Sequence, residues 1–219
     1  MRKFEIVKRF EGSDIKLPQR ETKNAVGYDV AVAEDTIIYP YAYLIEELAK
    51  HIYEDRTEEE YVEKVDGLLE EGKIEEVQKM DLEHFTCTLE ELATYTKRTG
   101  IKPTLVPTGI KAKCNEDESI ELVLRSSTPL KYWLVMANSI GIIDGDYYGN
   151  PSNDGEIFFQ LINFSPVPIK LRKGEKIGQI IFKKFLTTDD DHLRLKTKPG
   201  ASIHQIDYPT AKPSQTKNR

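Results

Sequence analysis

The sequence predicts a mainly β fold, a sandwich or barrel of short strands, interrupted once by an all-α segment. Three observations predict it. Alternating, β-rich runs recur at roughly 8–12-residue spacing at both ends of the chain. A central stretch places apolar residues at helical spacing behind two Thr-x-x-Glu boxes. Charge divides along the same boundaries. Of 219 residues, 31 are Lys or Arg and 37 are Asp or Glu, a net charge of -6. Tyr43–Gly100 alone carries 17 acidic and 7 basic residues, a balance of -10, which leaves the rest at +4.

The elements follow in order. Phe4, Ile6 and Val7 form a short β-rich run before Gly12. In Gly27–Ala33, Tyr28, Val30 and Val32 alternate onto one face, and Thr36–Tyr39 is a further run stopped by Pro40. Leu44, Leu48 and Ile52 then switch to helical spacing. Thr57 with Glu60 fits a capping box opening a helix through Tyr61, Val62, Val65, Leu68 and Leu69, ended by Gly72. Ile74 and Val77 mark a weaker helix, and Thr88 with Glu91 opens another that stops at Gly100. After Pro103 the β pattern returns, with strands expected at Thr104–Val106, Gly109–Lys113, Ser119–Leu124, Trp133–Met136, Ile140–Ile143, Ile157–Asn163, Val167–Leu171 and Gln179–Phe185. The expected organisation is a β domain of 1–42 and 101–195, an acidic helical insertion at 43–100 and a flexible arm at 196–219. Without Tyr43–Gly100 the flanking β segments become neighbours.

Composition excludes several classes. Net negative charge argues against coating nucleic acid by bulk charge. No apolar run reaches the roughly 18 residues of a membrane span, and the opening MRKFEIVKRF has no uninterrupted apolar core, so neither membrane nor signal peptide is expected. Cys87 and Cys114 make no disulfide framework, and His51, His84, His192 and His204 are scattered without zinc-ligand spacing. A reducing, cytoplasmic compartment is expected.

Three clusters carry chemistry. Ala25–Val30 sets Gly27 and Asp29 within an apolar run; a hydrogen-bonded structural Asp fits this as well as a functional one. Arg125-Ser126-Ser127-Thr128-Pro129, with Lys131 beyond, offers a guanidinium fork and short hydroxyl donors of the kind that hold phosphate, or an ordinary polar turn. In Asn138–Asn150, apolar Ile140, Ile142 and Ile143 lead into Asp144-Gly145, a strong hairpin signal. There Asp144 is a candidate base and Tyr147 a candidate stacking residue.

Taken together, Gly27-Tyr-Asp29, Arg125-Ser-Ser127, Gly141-Ile-Ile-Asp-Gly-Asp-Tyr-Tyr-Gly149 and Gly174-Glu-Lys-Ile-Gly-Gln-Ile-Ile181 stand in the order and spacing of the trimeric dUTPase family, which the chain resembles over about 1–42 and 101–195. The resemblance implies a dUTPase-like jelly roll, or β-clip barrel, carrying an all-α insertion. It implies a homotrimer with active sites between subunits and magnesium-dependent hydrolysis of dUTP to dUMP and pyrophosphate. By position, Asp144 is the expected general base, orienting the water that attacks the α-phosphorus. Tyr147 lies beneath the deoxyribose, leaving no room for a 2′-hydroxyl. Asn138 and the backbone around Gly141 read the uracil edge. Arg125, Ser126, Ser127 and Gln179 contact the phosphates, and Asp29 holds a water on Mg2+. Phosphoryl transfer asks for positioning and charge neutralisation, which these residue types supply.

The family's glycine-rich closing arm is degenerate here. Lys196–His204 retains only Gly200 and Ser202, and Pro199 stiffens the backbone. Lys131, Lys196, Lys198 and Ser202 are the expected replacement phosphate or arm contacts, with His204 or Tyr208 stacking; the helical insertion acting as a lid is the competing expectation. That insertion reads as a solvated add-on or as a surface for a protein partner. Two other functions stay open at this level: a non-catalytic dUTPase-like nucleotide-binding or regulatory module, and a dCTP deaminase of the same fold.

Overall fold

The computed structural model describes residues 1–189. The calls at Lys196, Lys198, Ser202, His204 and Tyr208 therefore lie outside the described residues. The chain divides into two compact units, one of Met1–Ile38, Thr104–Ile162 and the stretch from Lys170 on, the other of Tyr39–Pro103 and Asn163–Ile169.

Among the described residues the first unit is built from eleven strands, β1 (Lys3–Ile6), β2 (Tyr28–Ala31), β3 (Thr36–Ile38), β4 (Thr104–Pro107), β5 (Ile110–Lys113), β6 (Glu118–Leu124), β7 (Leu134–Met136), β8 (Gly141–Ile143), β9 (Phe158–Asn163), β10 (Ile169–Leu171) and β11 (Lys176–Lys184), the ends of β9 and β10 running into the other unit. They form sheets of order β2-β11-β6-β8, β4-β9-β7, β1-β5 and β10-β3. Alternation decides which side faces inward. On β6, Ile120 and Leu122 are fully buried, and on β9 Phe159 and Leu161 are. Each such side chain contributes about 1.5–3 kcal/mol by leaving water. Gly178 on β11 lets the β9 side close on it, because a Cβ there would lie 2.2 Å from Phe159 Cε1. Phe4, Tyr28 and Phe182 cluster at 5.2–6.0 Å, Tyr28 meeting both phenylalanines edge to face and those two tilted to each other, tying β1, β2 and β11 together.

At one end of β6 the buried Glu118 carboxylate receives both Arg2 Nη2 and Arg2 Nε, the latter at 2.8 Å, and the Asn115 N–H at 3.2 Å. The guanidinium holds its pKa down to about 2 from an ordinary 4.5. The folded value lies below the unfolded one, so this contact stabilises fully above about pH 4.5 and is lost as pH falls toward 2. Arg2→Ala is expected to lower stability most at neutral pH, where the contact is fully present, with the difference from the wild type shrinking as pH falls from about 4.5 toward 2; denaturant melts at a series of pH values, followed by far-UV circular dichroism, check it.

The second unit contains α1 (Tyr41–Arg56), α2 (Glu59–Glu70), α3 (Ile74–Phe85) and α4 (Leu89–Thr99). The Thr88–Glu91 box is formed in both directions, and α4 closes on Gly100 at φ 73°. The box expected at Thr57 is not formed. Thr57 terminates α1, its N–H bonded to Tyr53 O at 2.9 Å, and Glu58 takes the N-cap place with no side-chain bond. A partly exposed aromatic cluster links α1, α2 and α3. Tyr61 stacks on His84 at 4.1 Å, Phe85 packs on Tyr53 at 4.4 Å, and the Tyr61 hydroxyl donates to Asp81. Burial and that carboxylate push the phenol up to about 12.

Two further expectations are corrected by the fold. The polar turn after Arg125 is a short helix, α5 (Ser127–Tyr132), closed by Trp133 in the left-handed region at φ 56°. Asp144-Gly145 does not make a hairpin. A 3-10 turn, Gly145–Tyr147, follows Asp144, and the flanking strands belong to different sheets, β8 pairing with β6 and β9 with β4 and β7. The favoured two-residue hairpin loops need positive φ at their first central position, and Asp144, which would hold that position, has φ -73°.

Candidate functional site

A cavity of about 840 Å³ opens beside β8. Its lining includes Asn138, Gly141, Asp144 and Tyr147, four of the residues singled out from the sequence. Local backbone explains the grouping. After β7 the chain turns through Ser139 at φ 59°, with Ser139 N–H bonded to Met136 O at 3.1 Å, bringing Asn138 next to β8. Gly141 pairs with Leu122 across the sheet; a Cβ on it would sit 3.2 Å from Leu122 Cβ and 3.6 Å from Asn138 Nδ2, so the glycine leaves the strand backbone accessible beside the asparagine. Asp144, at the end of β8, is exposed to the cavity. The 3-10 turn, through Tyr147 N–H on Asp144 O at 3.1 Å, sets the tyrosine three residues on along the same wall. The arrangement offers an amide and strand backbone for a flat polar ring, an aromatic surface for a sugar and a carboxylate for a water.

A second group lies toward the other edge of the same sheet, on β2 and its neighbour β11. Gln179 and Asp29 are directly paired across β11 and β2, and Gln179 Nε2 donates to Asp29 Oδ1 at 2.8 Å. Gly27 permits this, since a Cβ there would lie 2.8 Å from Gln179 Cβ. Asp29 is buried, and its Oδ2 has no hydrogen-bond partner; the Arg125 guanidinium stands 3.6 Å away and Lys176 Nζ 4.0 Å away. Arg125 is fixed by its own N–H on Ile177 O at 3.0 Å and by Thr128, whose hydroxyl donates to the same carbonyl at 2.7 Å. Ser126 and Ser127 begin α5 beside Arg125, Ser126 making no capping bond, and Lys131 is exposed on that helix.

The structure therefore gathers the predicted residues into two places. Three strand spacings separate β2 from β8, and Ile143 pairs with Ile120, three residues along β6 from Val123, the partner of Gln179. With strands about 4.8 Å apart and about 3.3 Å rise per residue, Asp144 and Asp29 are roughly 17–20 Å apart between Cα atoms.

Several contributors were not read from the sequence. Lys176 joins the Asp29 group through strand register. Glu156, buried in the cavity wall, grips Arg9 at 2.5 and 2.8 Å. The carboxylate holds the Arg9 guanidinium more firmly protonated than usual. No local pattern announces a pair 147 positions apart.

Comparison with known proteins bears on the same residues. The dUTPase family model matches residues 91–210. The deoxyuridine 5′-triphosphate nucleotidohydrolase of Lactococcus lactis is 29% identical over 191 residues, 87% of each chain. That of Finegoldia magna is 32% identical over 99 residues, 43% of this chain and 65% of the relative. The crystal structure of dUTPase from Streptococcus mutans shares 30% identity, covers 85% of this chain and 98% of its own, and superposes with a TM-score of 0.55. A dUTPase from phage phi11 of S. aureus, at 12% identity, 86% and 93% coverage and a TM-score of 0.50, shares the fold. The fold is thus the mainly β fold of the nucleotide-cleaving dUTPases. The chain belongs to the dUTPase family, hydrolases that convert dUTP to dUMP and pyrophosphate.

Proposed function

We propose that the chain hydrolyses dUTP at sites completed between the subunits of a homotrimer, with Asp144 as general base and with magnesium. The observation that carries this reading is the convergence of Asn138, Gly141, Asp144 and Tyr147 on one cavity. Asn138 and the Gly141 backbone bind the uracil edge, and Tyr147 lies beneath the deoxyribose. Asp144 accepts a proton from the water that attacks the α-phosphorus, within the hydrogen-bond reach such a base requires. Arg125, Ser126, Ser127 and Gln179 hold the departing pyrophosphate oxygens, and Lys131 lies near enough in sequence to assist them.

Base, water, phosphorus and metal must stand at successive contact distances of about 2–3.5 Å. The separation of the two groups on one sheet supports a site in which the Asp29 group of one subunit faces the Asp144 cavity of another. The donor set fits a cation that keeps its waters. Among the described residues no three His, Cys, Asp or Glu converge, whereas Asp29 presents a buried oxygen that, beside its ion pairs with Arg125 and Lys176, has no hydrogen-bond donor and could accept from a metal-bound water. Magnesium, when bound, supplies charge neutralisation of the triphosphate.

The helices of 43–100 are read as an all-α insertion in a jelly roll, available as a lid or to a protein partner, and Lys196, Lys198 and Ser202 as arm contacts. The two free cysteines suit a reducing cytoplasm, and no described helix is long and apolar enough to cross a membrane. Incubated with Mg2+, the protein is expected to release pyrophosphate from dUTP and little from dTTP, dCTP or UTP, measured by coupled phosphate detection. Ammonia from dCTP, or tight dUTP binding without pyrophosphate, would overturn the reading.

A further inference from the structure

The loop 150–156 lies outside the four motifs, yet Ser152, Asn153, Asp154 and Glu156 line the cavity. Its own amides hold it. Asn150 Oδ1 accepts from the N–H groups of Ser152 and Asn153 at 3.0 and 3.2 Å. Asn150 Nδ2 donates to Tyr147 O at 3.0 Å and to Asn153 Oδ1 at 2.8 Å. Gly155 N–H donates to that same Asn153 oxygen at 3.0 Å. With its oxygen so engaged, Asn153 turns its Nδ2 toward the phenol and donates to Tyr147 Oη at 2.7 Å. The Tyr147 hydroxyl in turn donates to Glu156 O at 3.1 Å.

The loop itself is anchored to the body. The Asp154 carboxylate accepts from Lys8 N–H at 2.9 Å and from Lys111 Nζ at 2.8 Å, and Glu156 holds Arg9 and the Gly109 N–H. Asp154 and Gly155 both adopt left-handed backbone, at φ 59° and 80°, and a Cβ on Gly155 would lie 2.7 Å from Tyr147 O. A phenol has one proton to give and lone pairs with which to receive. Here the proton is given to a fixed carbonyl, and a fixed amide donates in return, so the ring is held at its far end as well as at its Cα.

We infer that Asn153 is a positioning residue for sugar discrimination: its amide, donating to Tyr147 Oη, keeps the tyrosine ring from yielding to a 2′-hydroxyl. The inference rests on the reading of Tyr147 as the residue beneath the deoxyribose. A steric wall rejects one extra oxygen only while it cannot rotate away, and Tyr147 without its two Oη bonds is free to do so.

The test is the ratio of kcat/KM for dUTP over UTP in the wild type, Asn153→Asp, Tyr147→Phe and the double variant. Asn153→Asp keeps an acceptor for Asn150 and Gly155 but has no N–H for the phenol. Tyr147→Phe removes the hydroxyl and leaves the amide bonds within the loop in place. Each single variant is expected to lower the ratio roughly ten- to a hundred-fold, the scale of a misplacement of about 1 Å, and the double variant should fall no further than Tyr147→Phe. An unchanged ratio in either single variant, or losses that multiply in the double, overturns the proposal. A wild type that turns over UTP as well as dUTP overturns the reading of Tyr147 and the proposal with it.

Discussion

Asp144→Asn is expected to lower dUTP turnover by about 10²–10⁴-fold, the usual contribution of a positioned general base, while nucleotide binding survives. The substitution is isosteric and exchanges a proton acceptor for an amide. Asp144 is exposed at the end of β8 and carries no part of the core, so stability should change little. The measurements are steady-state pyrophosphate release and, separately, dUTP affinity by calorimetry. Undiminished turnover would remove Asp144 from the role of base. Lost affinity with unchanged turnover at saturation would make it a binding residue instead.

The second large effect is recovery of activity from two inactive proteins. Asp144→Asn spoils the cavity, and Arg125→Ala spoils the group around Asp29. If each site takes its cavity from one subunit and its Arg125 from a particular neighbour, an equimolar random mixture leaves a site intact when both choices fall correctly. That gives about one quarter of wild-type activity in a closed ring of identical subunits. Co-refolding the two variants, with mixed assembly verified by a size tag on one of them, makes the measurement. Verified mixed assemblies with no activity would show that each site is built within a single chain.

Much of the β framework was legible because burial on one side writes itself into alternation. Ile120 and Leu122, or Phe159 and Leu161, could be placed from spacing two apart, and the structure moves the strand ends only slightly. Local signals failed where a residue had a prior engagement. Thr57 was already closing α1 and so did not cap α2. The Asp144-Gly145 pair has the composition of a tight hairpin, but its flanking strands pair elsewhere, β8 with β6 and β9 with β4 and β7, in different sheets. Within the candidate site, the motif residues were legible one by one. Their division into two groups was not, because it depends on which strands lie side by side. Contacts such as Arg9 with Glu156, or Asn153 with Tyr147, arise from closure of the fold and from a loop whose composition alone says only that it turns.

Strand β11 has a consequence for how this chain can change. Gly178 faces inward, where Phe159 fills the space a side chain would need, and Gln179, the next residue, faces the other way onto Asp29. Neighbouring positions on one rigid strand thus answer to unrelated demands, dense packing on one face and polar alignment on the other. A mutation enlarging residue 178 must shift the strand, and the strand carries Gln179 with it. Interior packing and the Gln179–Asp29 contact therefore cannot drift independently over evolutionary time; the shared strand confines variation at both.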